Sequence, residues 1–329
     1  MNIGNLKNII ITIIGSFAIY WIYKVFAGPE SLEYIIKHKD KFFILIIAHI
    51  PTIYFDALSW QLLMKKNYLG IFWCFIISWI SQTAGKVMPT GNITGEFVRI
   101  YLSVKKGMKL SEASSTVIGD LALAAFSLLL ITIFSLLFIL FSYKDFLLLD
   151  EDNIYLLLSI FVLILFSIVF CLMIRKRFIR FLLRNSHKYT SFKLSKKLIN
   201  SLIRFDYELN LLSYRLRIVF FALFIRMLGW IGGAFEIYVF FLIIGIDVSI
   251  MDVLIIESFT AILRAIVFFV PAGLGIQEFA FVIAGGVVGL SSEAAFSAAI
   301  GRRLREVLVG IPALISWYTL FNKKKSNFN

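Results

Sequence analysis

Cysteine is nearly absent: the 329-residue chain has only two, Cys74 and Cys171, both inside apolar runs. That excludes a disulfide scaffold and a cysteine metal cluster. The three histidines, His38, His49 and His187, stand far apart and form no ligand-spaced pair, so no metal site is expected. Charge is also scarce, at 16% of residues, against roughly a quarter in soluble domains. With 60% hydrophobic residues and a mean hydropathy of +0.89, the chain has too little polar material to cover a surface in water. A soluble enzyme, a disordered chain and a fibrous protein are excluded on that ground. Catalytic signatures are missing as well. There is no Walker A pattern, no G-x-S-x-G and no HExxH. Gly273 and Gly275 lack the third glycine of a dinucleotide fingerprint and follow an apolar helix rather than a strand. No cofactor is expected.

What the chain does have is apolar length. Spanning a bilayer takes about 20 helical residues. The sequence predicts helices over 7–27, 42–64, 69–88, 111–142, 153–174, 218–245, 251–270 and 291–320, with a further apolar piece over 274–290. Phe, Ile and Leu dominate without two-residue alternation, which argues for helices and against a membrane β-barrel. The first segment reads as an uncleaved helix: Lys24 interrupts the approach to a cleavage site, and Lys7 alone makes up the basic region before it.

The 33 Lys and Arg outnumber the 20 Asp and Glu, giving a net charge of +13. In a soluble protein this would point to nucleic acid. Here the basic residues sit in loops flanking apolar runs, so the expected partner is an anionic membrane surface and not nucleic acid. The stretch 175–217 holds twelve Lys and Arg against Asp206 and Glu208 and reads as a basic amphipathic cytoplasmic loop. Lys65-Lys66, Lys105-Lys106, Lys109 and Lys323 to Lys325 are placed on the same side. The acidic stretch 145–152 is placed outside. These assignments agree only if 69–104 and 251–290 each enter the membrane and return. Six helices then cross fully, and both termini are expected in the cytoplasm.

The two returning hairpins resemble one another. Aligning 76–120 with 258–302 gives ten identities in 45 positions, where apolar composition alone would give roughly three. The spacing Pro-x-Gly-x4-Glu occurs in both, as Pro89, Gly91 and Glu96 and as Pro271, Gly273 and Glu278. Three crossings separate the hairpins, so the repeats are expected to be inverted. Inverted repeats with Gly/Pro-broken segments point to a transport site near the midplane. The domain reading is a single membrane domain over 1–329, with repeat 1 at about 42–142, the basic loop at 175–217 and repeat 2 at about 218–320.

A proline-glycine break lets a second helix start within the membrane or at its edge, where its unpaired amides carry partial positive charge and can hold an anion. Glu96 and Glu278 fall in the first turn of these half-helices. They either satisfy their own helix end or meet a substrate amine, a proton or a facing arginine. Intramembrane charge is costly and faces a cavity or a partner. It recurs at Asp56, Lys86, Asp120, Arg226, Glu236, Glu257, Arg264, Arg302, Arg303, Arg305 and Glu306. Asp120 and Arg302 hold equivalent repeat positions and are expected to pair. The alternative is local pairing, Arg302 with Glu306. Arg302, Arg303 and Arg305 form the densest basic cluster, suited to phosphate. A purely structural ion network is the alternative.

Three pieces of sequence carry a family resemblance. One runs Lys86-Val87-Met88-Pro89-Thr90-Gly91-Asn92-Ile93-Thr94-Gly95-Glu96-Phe97-Val98-Arg99, followed by a short basic loop. Another is Gly119-Asp120. The third is Val270-Pro271-Ala272-Gly273-Leu274-Gly275-Ile276-Gln277-Glu278, with the Arg-rich helix after it. Together they resemble the lysylphosphatidylglycerol synthase transmembrane-region family, also called the flippase-like domain family, over roughly 10–320. The resemblance implies a polytopic membrane protein of bacterial or archaeal type. In multi-domain members this region moves aminoacylated phospholipid across the inner membrane, and a soluble aminoacyl-transfer domain follows. No such domain follows here before Asn329, so a stand-alone member is expected, without lysyl-lipid synthesis.

The sequence thus predicts an all-α polytopic membrane protein with about six full transmembrane helices and two broken hairpins related by an inverted repeat. Its expected function is inner-membrane translocation of an anionic phospholipid, glycolipid or polyprenyl-phosphate-linked lipid without ATP hydrolysis. The alternative is a membrane-embedded enzyme or an accessory subunit of glycolipid or envelope-polysaccharide synthesis. A structural scaffold in an envelope complex is the blander reading. The expected substrate-binding residues are Lys86, Gly91, Glu96, Arg99, Asp120, Arg264, Gly273, Gly275, Gln277, Glu278, Arg302, Arg303, Arg305 and Glu306. The expected partners are membrane lipids with anionic head groups, beside a homo-oligomer or an envelope-synthesis partner.

Overall fold

The computed structural model describes residues 19–65, 68–87, 92–142, 214–267, 270 and 273–321, with short pieces at 158, 161–166, 168–169, 172, 176, 199–200, 202–203, 206–207 and 210–211. The regular elements among them are all helical, with no strand. A π-helical turn, Tyr23–Ala27, leads into α1 (Glu30–Lys37). A short 3-10 turn, Lys39–Lys41, precedes α2 (Phe43–Leu63). Then come α3 (Ile71–Val87), α4 (Asn92–Lys105) and α5 (Leu110–Ser142). After the basic stretch follow α6 (Leu216–Ile244), α7 (Ile250–Ile266), α8 (Ile276–Val287) and α9 (Ser292–Phe321).

Among the described residues, four segments are long and apolar enough to cross a membrane: Lys39–Leu63, Leu110–Ser142, Leu216–Ile244 and Ser292–Phe321. The chain is an all-α polytopic membrane protein. The predicted helices at 7–27 and 153–174 and the loop 175–217 fall largely outside the described residues, as does Gly91. Pro51 lies within α2 and Pro312 within α9. Such prolines are tolerated in membrane helices, where neighbouring groups re-satisfy the freed carbonyl.

The described chain forms two compact units. One gathers the chain up to Phe55, Phe75–Arg99 and Leu228 onward; the other gathers Asp56–Cys74 and Ile100–Met227. In the first, α9 packs on α8, on α1 and on the π-helical turn, and α7 packs on α8. Ile22, Val282 and Phe296 form a buried knot there, with Tyr23 tilted against Phe296 at 6.1 Å between ring centroids. Phe42 stacks on Phe240 at 5.8 Å. In the second unit Trp60 is fully buried, and its indole N–H donates to Thr116 Oγ1 at 3.3 Å. The Ser59 hydroxyl donates to the Ala222 carbonyl at 3.1 Å.

Each predicted hairpin holds two helices: α3 and α4, with residues 88–91 between them outside the described ones, and α7 and α8. Local backbone repeats with the sequence offset. α4 ends at Lys105 and α8 at Val287; α5 starts at Leu110 and α9 at Ser292. Gly107 and Gly289 both adopt positive φ, 99° and 80°. The Met108 N–H donates to the Ser103 carbonyl at 3.2 Å, and the Leu290 N–H to the Gly285 carbonyl at 2.9 Å. These six-to-one closures are the glycine-capped helix ends that let a chain reverse tightly. The same C-cap at the same offset is one local fold written twice.

The α3–α4 hairpin closes through Gly95. A Cβ there would lie 2.6 Å from the Ser81 carbonyl oxygen and 3.2 Å from the Gly85 Cα, both backbone atoms. The Ser81 hydroxyl donates to the Gly95 carbonyl at 2.9 Å, tying the two helices at the point of approach. Gly95→Ala is expected to destabilise the protein by about 1–3 kcal/mol, because backbone on both sides must move. Gly286→Ala, with open space around its Cβ, is expected to change stability by no more than about 1 kcal/mol. Thermal unfolding of both variants in detergent checks the order.

Candidate functional site

A group of charged residues of the first unit converges where four helices meet. α9 supplies Arg302, Arg303, Arg305 and Glu306; α6 supplies Glu236; α7 supplies Glu257 and Arg264; α8 supplies Gln277 and Glu278. His49 of α2 and Lys86 of α3 join them. Small residues make the convergence possible. A Cβ at Gly233 would lie 2.8 Å from the Glu257 carboxylate, and one at Gly301 would run into the Phe240 ring.

Each carboxylate has a cationic partner. The Glu257 carboxylate accepts from Arg302, whose guanidinium also lies 5.5 Å from the Phe281 ring centroid. Glu236 accepts from Arg305 Nε at 2.8 Å and lies 2.6 Å from its Nη2. Glu278 accepts from Arg303 Nε at 2.7 Å, and Arg303 Nη2 also donates to the Gly273 carbonyl at 2.9 Å. Glu306 stands 3.1 Å from Lys86 Nζ and 3.4 Å from Arg303 Nη1. Ion pairing of this density is what an apolar setting demands, since a lone charge there costs several kcal/mol.

The role of His49 follows from its neighbours. Arg305 Nη1 lies 3.3 Å from His49 Nε2, and a guanidinium can only donate. Nε2 is therefore the acceptor, and the ring proton sits on Nδ1, which donates to Glu236 Oε2 at 2.9 Å. The imidazole is neutral and relays Arg305 to Glu236.

The α7–α8 break is shaped by two glycines with positive φ, Gly273 at 59° and Gly275 at 80°, backbone that residues with a Cβ rarely adopt. Glu278 Oε2 accepts from the Gly275 N–H at 2.9 Å. Glu278 thus serves both roles open to it in the sequence, closing its own helix end and meeting an arginine. Glu96, its repeat equivalent, is half-buried and lies 3.5 Å from Arg99 Nη1 on the same helix. Arg99 itself is buried, and its Nη2 donates to the Ser78 hydroxyl at 3.4 Å.

Asp120 belongs to the second unit, where Arg226 Nη1 lies 3.2 Å from Asp120 Oδ2 and 3.3 Å from Asp56 Oδ1. The Ser59 hydroxyl donates to Asp120 Oδ1 at 3.3 Å. Asp120 and Arg302, expected to pair with each other, thus each have ion partners of their own unit. Nor is Glu306 the carboxylate hydrogen-bonded to Arg302; its arginine is Arg303, one position along. Of the predicted site residues, Lys86, Arg264, Gly273, Gly275, Gln277, Glu278, Arg302, Arg303, Arg305 and Glu306 come together at the cluster and the break. Glu96 and Arg99 form a separate pair on α4. His49 was not expected at the site, and Glu236 and Glu257 were noted only as intramembrane charges.

Loss of the most shared carboxylate should be the costliest. Glu236→Ala is expected to destabilise the protein by about 3–5 kcal/mol, because it strands Arg305. His49→Gln, which changes no formal charge, is expected to cost about 1–3 kcal/mol. Thermal unfolding in detergent ranks the two.

A profile described as the lysylphosphatidylglycerol synthase TM region matches residues 8–313. Comparison with curated proteins and with solved structures gives no match.

Proposed function

The chain belongs to the lysylphosphatidylglycerol synthase transmembrane-region family, and on that premise we propose that it is a lipid translocase of the inner membrane. It moves a lipid with an anionic head group, be it a phospholipid, a glycolipid or a polyprenyl-phosphate-linked lipid, and does so without hydrolysing ATP. The observation that carries this reading is the charged cluster of α6 to α9, set in an apolar unit beside a broken helix.

The physical problem in lipid translocation is the head group. Its tails are at home in hydrocarbon, but its phosphate must cross a layer about 30 Å thick that offers no hydrogen bonds. A protein lowers that barrier by placing donors and positive charge at depth while the tails stay in lipid. Guanidinium groups match phosphate geometry. The broken helix adds amides at the α8 start, where the helix dipole favours an anion. In the proposed arrangement both hairpins re-enter the membrane, the two repeats are inverted, and their relative rocking exposes the site to each side in turn. Transport runs downhill or is coupled to an ion gradient, with Glu96, Asp120 and Glu278 handling protons or partners. Both termini lie in the cytoplasm, and the protein works alone, as a homo-oligomer or with an envelope-synthesis partner.

Reconstitution in proteoliposomes tests this, with fluorescent phospholipid and polyprenyl-phosphate probes and a quencher added outside. The wild-type chain is expected to flip at least one probe. Glu278→Gln and Arg302→Ala, checked for folding, are expected to lose most of that activity, on the order of tenfold or more. Absence of flipping with every probe would count against the translocase.

A further inference from the structure

Among the described residues of the cluster, His49 is the one whose side-chain type exchanges a proton near neutral pH. Both ring nitrogens are engaged, but not equally. Nδ1 donates to Glu236 Oε2 at 2.9 Å, a bond strengthened by the carboxylate charge. Nε2 offers a single lone pair, which accepts from Arg305 Nη1 at 3.3 Å. That is the loosest contact of the three residues, since Arg305 Nη2 and Nε stand 2.6 Å and 2.8 Å from Glu236 Oε1. One lone pair can take the guanidinium N–H or a proton, and not both.

Charge faces His49 from α6, α9 and α3. Glu236 and Arg305 touch the ring, Arg302 Nε lies 4.0 Å from the same Glu236 carboxylate, and Lys86 acts on the ring from α3. A proton on Nε2 would leave Glu236 shared between an imidazolium and Arg305. The guanidinium is planar and rigid, so Nη1 cannot turn away from Nε2 without shifting Nε and Nη2 on Glu236. Proton uptake therefore loosens a tie between α9 and α6.

A buried base also needs a route for its proton. Thr52 lies one turn along α2 from His49, so the two share a helix face. Thr52 meets α6 at Gly232, one turn before Glu236, where an added Cβ would lie 3.0 Å from Thr52 Oγ1. That buried hydroxyl oxygen has no hydrogen-bond partner among the described residues. Neither has Arg302 Nε, nor Oγ1 of the fully buried Thr260, one turn after Glu257. Buried polar groups are satisfied by protein or by ordered water. Three such atoms around Glu236 and Glu257 point to water within reach of His49.

We propose that His49 Nε2 is a proton-binding site with access to water, and that the proton bound there is the ion coupled to lipid movement. An aqueous proton forms the new Nε2–H bond, the hydrogen bond from Arg305 Nη1 breaks, and Arg305 keeps all its protons. Return of the proton to water reverses the step. The coupling rests on the translocase reading and deepens it; the proton site stands without it.

The proton site is tested by NMR of the full-length chain in dodecyl maltoside, with labelled histidine and arginine nitrogens. His38→Gln and His187→Gln leave His49 as the only histidine signal, and Arg305→Lys assigns the arginine. Near about pH 8, Nε2 is expected without a proton and Nδ1 with one. Titration to about pH 5 is expected to protonate Nε2, with the Arg305 signal moving in the same step. An Nε2 that stays bare across this range, that carries its proton throughout, or that titrates with Arg305 unmoved would overturn the site. Coupling is read in proteoliposomes with the fluorescent lipid probes and an imposed pH gradient of about two units. The gradient is expected to change the wild-type flipping rate by about tenfold, and nigericin, which collapses it, to abolish the change. His49→Gln is expected to flip at one rate with or without the gradient. Wild-type flipping that ignores the gradient, or a gradient response kept in His49→Gln, would overturn the coupling. Titration of Nε2 with no flipping of any probe would sink the translocase and leave the proton site.

Discussion

Pairing of charge inside an apolar setting governs the first unit. Each carboxylate there must find a cation, or folding carries an uncompensated charge in a medium that solvates it poorly. This demand explains why α6, α7, α8 and α9 meet where they do. It also explains the small residues around the meeting point. Gly233 leaves room for the Glu257 carboxylate, and Gly301 leaves room for the Phe240 ring one residue before Arg302. The packing and the electrostatics are one constraint, because a side chain at either glycine would push apart the helices that bring the charges together.

The broken hairpin adds the second element. Positive φ at Gly273 and Gly275 lets the chain stop α7 and restart α8 while turning a carbonyl toward Arg303 and an amide toward Glu278. Backbone that has lost its helix partners is held by the same side chains that make the ion pairs. In the proposed function this helix end, held by those side chains, is where the helix dipole would favour an anion.

Much of this was legible in the sequence, for identifiable reasons. Glycine spacing located the break between α7 and α8, where Gly273 and Gly275 adopt positive φ, because glycine acts on the backbone locally and needs no knowledge of neighbours. The length of apolar runs found α2, α5, α6 and α9 for the same reason. Pairing was harder to read. The repeat offset put Asp120 and Arg302 at equivalent positions, but equivalence in a repeat does not specify a contact; Asp120 sits with Arg226 and Arg302 with Glu257. His49 was passed over as a lone histidine, since its partners Glu236 and Arg305 are 187 and 256 residues away. Glu236 did leave a signal: an acid in an apolar 29-residue helix, one turn after Gly232 and Gly233. A charge that close to paired glycines marks a face where another helix comes near.

The central claim is that the ion-paired cluster of α6 to α9 forms the site through which the proposed translocase passes a lipid head group. The most direct measurement is a structure of the full chain in a phosphatidylglycerol-containing nanodisc, at a resolution that shows head groups. The account predicts a lipid phosphate within hydrogen-bond distance of the arginines of this cluster. Head groups resolved only around the outside of the protein, with none at the cluster, would contradict it.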